Sequence, residues 1–366
     1  MGGNSEYYAG LMSGTSLDGI DAVLVDFSAG RGRLLHTVYH PYSPELRQRL
    51  LLLHEPQAEE LHLAALAGNE LAHRYAAAVA QLLQEADIAP QRVAAIGCHG
   101  QTIRHRPEHS YTIQLGNPAL LAELSGVAIV ADFRSRDIAA GGQGAPLVPA
   151  FHAAMFHHGE RHRVIVNVGG IANLTNLPPE GEVTGFDCGP GNLLLDAWIG
   201  SRRGETYDRD GSWAAGGTVI PGLLQALLEH PFFHQAPPKS AGRETFNPDW
   251  VARHLKGSES DRDVQATLLQ LTVEGIVGAI GRCCPLAREV YLCGGGARNK
   301  ALVAHLRHAL AGTHVALTDE LGVDADWLEA FAFAWLARQT VNGKTGNLPA
   351  VTGARHPCVL GAIHPA

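Results

Sequence analysis

Residues 9–21 read AGLMSGTSLDGID. An apolar run, Ala9 to Met12, gives way to Ser13, Gly14, Thr15, Ser16, Asp18, Gly19 and Asp21, and IDAVLVDF (20–27) then alternates as a returning strand does. Asp18-Gly19 is the dipeptide of a tight type I′ hairpin turn, whose two central residues both take positive φ. A hairpin needs nothing beyond that dipeptide. Gly14-Thr15-Ser16 is surplus to it, and bare backbone N–H groups beside hydroxyls suit an anion lying against the loop. The stretch reads as a phosphate-facing hairpin, with Gly14, Thr15, Ser16, Leu17, Asp18, Gly19, Ile20 and Asp21 as its binding residues.

Farther along the chain the pattern recurs. RVIVNVGGIANLTNL (163–177) is again an apolar strand, a turn at Gly169-Gly170 and a returning strand, so the two halves open alike, a faint internal duplication. VYLCGGGARNKALVAHL (290–306) is a strand, a turn at Gly294, Gly295 and Gly296, and a helix. Between these come helical stretches at PELRQRLLLL and over 58–86, then a buried strand, VAAIGCHGQT (93–102). The alternation predicts an α/β architecture. AAGGQGAPLVP (139–149), rich in glycine and poor in charge, reads as a passage between domains facing a cleft.

The chain has 366 residues, more than the ~100–200 of a usual single domain, so two domains are expected. Composition is that of a globular protein, 46% hydrophobic and 17% charged, and a formal charge of −8 without any basic run argues against nucleic acid. MGGNSEYYAG lacks the basic and apolar regions of a signal peptide, and no apolar run approaches the ~20 residues that span a bilayer. Six cysteines without zinc spacing read as reduced thiols of a cytoplasmic protein. The histidine-rich FHHGERH and LRHAL read as solvated faces.

Several familiar motifs fail. Gly343-Lys344-Thr345 resembles the tail of a P-loop, but Arg338 stands where the first glycine belongs and a helix precedes it. Gly294-Gly295-Gly296 would need a third fingerprint glycine at Asn299, which disfavours hydride transfer. His54-Glu55 lacks a zinc protease's second histidine, and no serine sits in G-x-S-x-G. What remains is three glycine-rich turns after apolar strands. Two hairpins facing each other can hold a triphosphate while a third loop backs the adenosine, which is the scheme of actin, hexokinase and Hsp70.

LMSGTSLDGIDAVLVDF, CHGQTIRH, ADFRSRDIAAGGQGAPLVP, NVGGIANLT, GFDCGPGN and YLCGGGARN resemble, in order and spacing, the successive signatures of the anhydro-N-acetylmuramic acid kinases. The resemblance runs nearly end to end. It implies a two-domain actin-like ATPase (ribonuclease H-like) fold, with a nucleotide and substrate cleft between domain I (1–135 plus 340–366) and domain II (136–339). It implies a cytoplasmic homodimer using ATP and magnesium. The expected reaction opens the 1,6-anhydro ring of 1,6-anhydro-N-acetylmuramic acid with water and phosphorylates O6, giving N-acetylmuramic acid 6-phosphate and ADP. Ordinary glycoside hydrolysis needs a carboxylate to activate water and an acid to protonate the leaving oxygen. Here the phosphoryl group can stand in for that proton, so one catalytic carboxylate suffices.

Among the acids, Asp18 and Asp21 go to magnesium, its waters or the turn itself. Asp132 and Asp137 flank Arg134 and Arg136, a pairing that suits substrate binding. Asp187, in GFDCGPGN, either caps a helix starting near Pro190 or takes a proton; the resemblance implies the catalytic base. Glu329, lone in the apolar ADWLEAFAFAWLARQ, is either a surface acid or a sugar contact, and the resemblance favours the sugar. His99, Gln101, Asp132, Arg134 and Glu329 make up the implied substrate set. Gly169 and Gly170 would face the phosphates, and Gly294, Gly295, Gly296 and Asn299 the adenosine. Two rival readings are a kinase acting on an ordinary sugar hydroxyl and a non-catalytic actin-like nucleotide switch.

Overall fold

The strands, in chain order, are β1 (Tyr7–Ser13), β2 (Gly19–Asp26), β3 (Arg33–Pro41), β4 (Val93–Arg106), β5 (Tyr111–Leu115), β6 (Ile129–Ala131), β7 (Arg163–Val168), β8 (Ile171–Leu177), β9 (Thr184–Pro190), β10 (Glu289–Cys293), β11 (His314–Leu317) and β12 (Ala362–His364). The computed structural model describes residues 6–14, 17–237, 239–243 and 245–366. Thr15 and Ser16 of the first hairpin lie outside the described residues.

The strands form two sheets with one plan. The first runs β12-β6-β4-β1-β2-β3, with β5 paired to β4; the second runs β11-β10-β7-β8-β9. In each, an antiparallel meander (β1-β2-β3, β7-β8-β9) supplies one flank, and its first strand pairs in parallel with the strand beyond the first crossover (β4, β10). This repeated sheet is that of the two-domain actin-like ATPase fold, and the duplication hinted at by the two glycine hairpins is a duplication of topology.

The chain divides into one unit of residues 1–155 plus 327–366 and another of 156–326. The breaks thus fall twenty residues later and thirteen residues earlier than the boundaries read from the sequence. Helix Leu328–Val341 lies on β1 and β4 of the first sheet, which carries the later break back to residue 327; β12, within the 340–366 segment already assigned to the first domain, pairs with β6. The 139–149 stretch, read as a passage between domains, belongs wholly to the first unit. Asp137, fully buried, pins it: one oxygen accepts from the Gly144 N–H (2.8 Å), the other from Asn347 Nδ2 (2.6 Å) and the Thr352 hydroxyl (2.7 Å).

Helix Glu60–Glu85 buries Ala67, Leu71, Tyr75, Ala78 and Leu82 on one stripe, at helical spacing, against the first sheet. Helix 328–341 covers the opposite face, and it lies unusually close. A β-carbon at Gly10 or Gly97 would overlap the backbone carbonyls of Ala330 and Phe333, so these two strand glycines are what let the helix backbone settle on the sheet. In the second unit, helix Asp261–Cys283 is long and apolar enough to cross a membrane, but 72% of its apolar window is buried inside the unit.

One local expectation fails. Asp18-Gly19 is not a type I′ turn: the positive φ (57°) falls on Leu17, whose side chain is buried, and Gly19 already belongs to β2. Glycine is required there for a different reason. A β-carbon at Gly19 would lie 2.5 Å from the carbonyl oxygen of His40 on the neighbouring strand β3.

Candidate active site

In the first unit, the loop after β1 rests on a layer of buried polar groups. Gly14 offers its carbonyl to the Leu17 N–H (3.3 Å) and to Gln101 Nε2 (3.0 Å), and the Asp18 carbonyl accepts from the Tyr42 N–H (2.8 Å). Asp18 is exposed and Asp21 half-buried. Burial raises the pKa of the Tyr39 phenol, and the negative charges of Asp18 and Asp21 add to the rise.

His99 and Gln101 both belong to the substrate set that the resemblance implies, and two residues apart on a regular strand they would share a face. The structure separates them. Between Leu11 and Ser13 of β1, β4 spends one extra residue, pairing Leu11 with Cys98 but Ser13 with Gln101. Gly100, at φ 75°, sits in this bulge. The extra residue turns Gln101 toward Gly14 and Tyr42, whereas His99 stays on the helix 328–341 face, with its ring 4.8 Å from that of Phe333.

On that second face His99 meets Arg134. Its Nε2 accepts from Arg134 Nε (3.2 Å) and Nη2 (2.9 Å), while Arg134 Nη1 donates to the Gly144 carbonyl (2.8 Å). Burial and the guanidinium together push the His99 pKa down to about 3, so His99 is neutral at physiological pH. Burial lowers Arg134 to about 10, opposed by Glu329 and Asp137. Glu329 is half-buried in the first turn of helix 328–341. Asp132 stands exposed at the end of β6 with φ 57° and accepts from the Ser135 hydroxyl (2.5 Å). Left-handed backbone at a non-glycine residue is strain of the kind found at functional sites. Asp132 and Arg134 follow the carboxyl end of β6, and the loop from Gly14 that of β1, the end of an α/β sheet where ligands bind.

In the second unit, three turns converge beyond β7, β9 and β10. The Gly169 carbonyl accepts from the Asn192 N–H (2.8 Å), the Gly170 carbonyl from the N–H groups of Gly191 (2.9 Å) and Leu193 (3.1 Å), and Asn192 Nδ2 donates to Val168 O (3.1 Å). A β-carbon at Gly296 would overlap Val168, and one at Gly294 (φ 77°) would overlap Asn167. Gly169, Gly170 and Gly295 differ: their β-carbons would meet nothing closer than 3.6 Å. Two glycines of the third turn build the packing and one leaves its face open. The Asn299 side chain accepts from the Leu302 N–H (3.0 Å), capping helix Lys300–Ala309.

Asp187 lies on β9, half-buried, and it caps no helix. The following helix begins at Leu193, not near Pro190, because Gly191 and Asn192 form the turn against Gly169 and Gly170; Asn192 is its N-cap position. The Asp187 Oδ2 instead accepts from the Ala241 N–H (2.9 Å), and the Asp187 N–H donates to the Lys239 carbonyl (3.2 Å). The Lys239 ammonium donates to Phe232 O (2.9 Å) over the Phe232 ring. Sequence reasoning passed over residues 239–241 because they form no regular element and carry no recognisable motif. Among the described residues no group of three or more His, Cys, Asp or Glu is disposed to hold a metal ion.

A family model for anhydro-N-acetylmuramic acid kinase matches residues 6–366. Relatives of that name are 61% identical over 362 residues in Nitrosospira multiformis, covering 98% of this chain and 99% of the relative, and 60% identical over 366 residues in Thiobacillus denitrificans, covering 99% and 98%. A third, in Nitrosomonas europaea, is 58% identical over 362 residues, covering 98% and 100%. With a family model matched over residues 6–366 and relatives of that name at 58–61% identity over nearly their whole length, the chain belongs to the anhydro-N-acetylmuramic acid kinase family of sugar kinases.

Proposed function

We propose that this kinase couples two steps on one sugar. Water adds to the anomeric carbon of 1,6-anhydro-N-acetylmuramic acid and yields its proton to Asp187. The bond from that carbon to O6 breaks, and O6 takes the γ-phosphoryl group of ATP. The products are N-acetylmuramic acid 6-phosphate and ADP, and the proton leaves Asp187 for solvent. The observation that carries the assignment is the Asp187 carboxylate, held by a backbone N–H of residue 241 and not engaged in a helix cap. An N–H donor orients a carboxylate without taking its charge, which is what a base requires.

His99, Arg134, Glu329 and Asp132 form the sugar side: a guanidinium, a neutral imidazole and two carboxylates suit a polar ligand bearing a carboxylate, hydroxyls and an amide. Gly14 to Asp21 and Gly169-Gly170 would face the phosphates, and Gly294 to Asn299 the adenosine. Magnesium would supply charge neutralisation on the phosphates. Asp18 and Asp21 would hold it directly or through water, and two carboxylates fit an ion that keeps much of its hydration and its phosphate ligands. A homodimer in the cytoplasm belongs to the same proposal, and light scattering tests the dimer.

Release of ADP from ATP, followed with and without the anhydro sugar, tests this reading against a nucleotide switch. ADP formation should depend on the sugar; equal rates without it would favour the switch.

Gly295→Val tests the adenosine loop. The β-carbon has room, so the variant should fold, and its KM for ATP should rise about tenfold, worth about 1.4 kcal/mol, with the KM for sugar little changed. A rise confined to sugar would assign the loop to the other ligand.

A further inference from the structure

We propose that Gln101 is a positioning residue for the nucleotide loop and touches no sugar. This rests on the reading of Gly14 to Asp21 as the phosphate-facing loop. Gln101 has no exposed surface. Its amide is spoken for at both ends: Nε2 donates to Gly14 O (3.0 Å), and Oε1 accepts from the Tyr42 hydroxyl (3.3 Å). The orientation is fixed by its partners, since the flipped amide would set one carbonyl oxygen against another at Gly14 and waste the Tyr42 donor.

A second buried chain runs alongside. The Tyr75 hydroxyl donates to Ser13 Oγ (2.7 Å), because the Ser13 proton is used toward Gly100 O (3.0 Å). Ser13 and Tyr75 are each about 1% exposed. Thus Ser13 and Gly14, the last residues before the turn, are both tied to the bulged β4 by side chains lying under the loop. Burial raises the pKa of Tyr42 to about 12 and also raises that of Tyr75, so both phenols stay protonated and donate throughout the working pH range.

The cost of this arrangement explains its use. Each of these polar groups gives up water, and a single unmade bond leaves a buried carbonyl or amide unsatisfied. An apolar core would hold the strands more simply. What hydrogen bonds add is direction: they fix where the Gly14 carbonyl points. A backbone held in one orientation is a condition for presenting preorganised donors to phosphate oxygens. The β4 bulge makes the arrangement possible, by turning residue 101 away from the face where His99 meets Arg134.

Two variants test the inference. Gln101→Met keeps length and volume but removes donor and acceptor; Tyr42→Phe removes one hydroxyl and keeps the ring. Steady-state kinetics should show the KM for ATP raised about tenfold in Gln101→Met and by less in Tyr42→Phe. The KM for sugar should stay within about twofold. If Gln101→Met does not fold, the Tyr42→Phe split decides alone. A raised KM for sugar with that for ATP unchanged would restore Gln101 to the substrate set and overturn the inference. Lowered thermal stability with both KM values unchanged would also overturn it, leaving the network a purely structural one. Failure of the loop reading is separate: it would appear as undiminished ATP affinity in Gly14→Val, whatever Gln101 does.

Discussion

Asp187→Asn is expected to lower turnover by ~10²–10⁴-fold, the usual contribution of a positioned general base. Asparagine keeps the side chain's shape, and its carbonyl oxygen can still accept from the Ala241 N–H that Asp187 now holds at 2.9 Å. What it loses is the ability to take a proton. Binding of ATP and sugar should change little, because neither requires that transfer. Phosphorylation should fall together with ring opening, since O6 is not free to accept phosphate until its bond to the anomeric carbon breaks. The two activities are therefore expected to decline in parallel when assayed separately by sugar reducing ends and by ADP. A variant turning over within a few-fold of the parent would remove Asp187 from the mechanism, with Glu329 or Asp132 the next acid to test.

The second large effect is expected at Gly14. Gly14→Val places a branched side chain where a phosphate oxygen would approach the loop backbone. Losing two hydrogen bonds to a charged group, each worth ~1.5–3 kcal/mol, corresponds to a loss of ATP affinity of roughly 10²-fold or more. Titration calorimetry on the folded variant measures it. Unchanged affinity would mean that the nucleotide lies elsewhere.

Much of the architecture could be read before any coordinates, for reasons visible in particular residues. The strand–glycine–strand pattern at 9–27 and again at 163–177 reports local chain reversal, which depends on neighbouring residues alone. Both hairpins and the repeated topology follow from it. What escaped was set by residues distant in the chain. Gly10, Gly19 and Gly97 look like weak points in strands, and only the approach of Ala330, His40 and Phe333 explains them. Nothing in ADWLEAFAFAWLARQ says which sheet the helix covers, and the structure lays it on β1 and β4.

For the candidate site residues, the structure adds where each one lies. Arg134, His99 and Glu329 do lie in one electrostatic neighbourhood of the first unit, and the three glycine turns do follow strand ends. On a regular strand His99 and Gln101 would share a face, and a one-residue bulge, which has no signal in the sequence, separates them. Asp187 could be read as a helix cap because Pro190 is a plausible helix start. The turn that instead occupies Gly191 and Asn192 is stabilised by Gly169 and Gly170, some twenty residues away. The support that residues 239–241 give Asp187 had no signal in sequence at all, since backbone donors belong to every residue.

In the proposed reaction one active site both hydrolyses the internal ether and phosphorylates the oxygen it frees. Mass spectrometry of the sugar product, after reaction with ATP and 1,6-anhydro-N-acetylmuramic acid, distinguishes this from phosphorylation alone. The expected product is heavier than the substrate by one water and one phosphoryl group, with no unphosphorylated ring-opened sugar accumulating. A product gaining the phosphoryl group alone, with its anhydro ring intact, would contradict it.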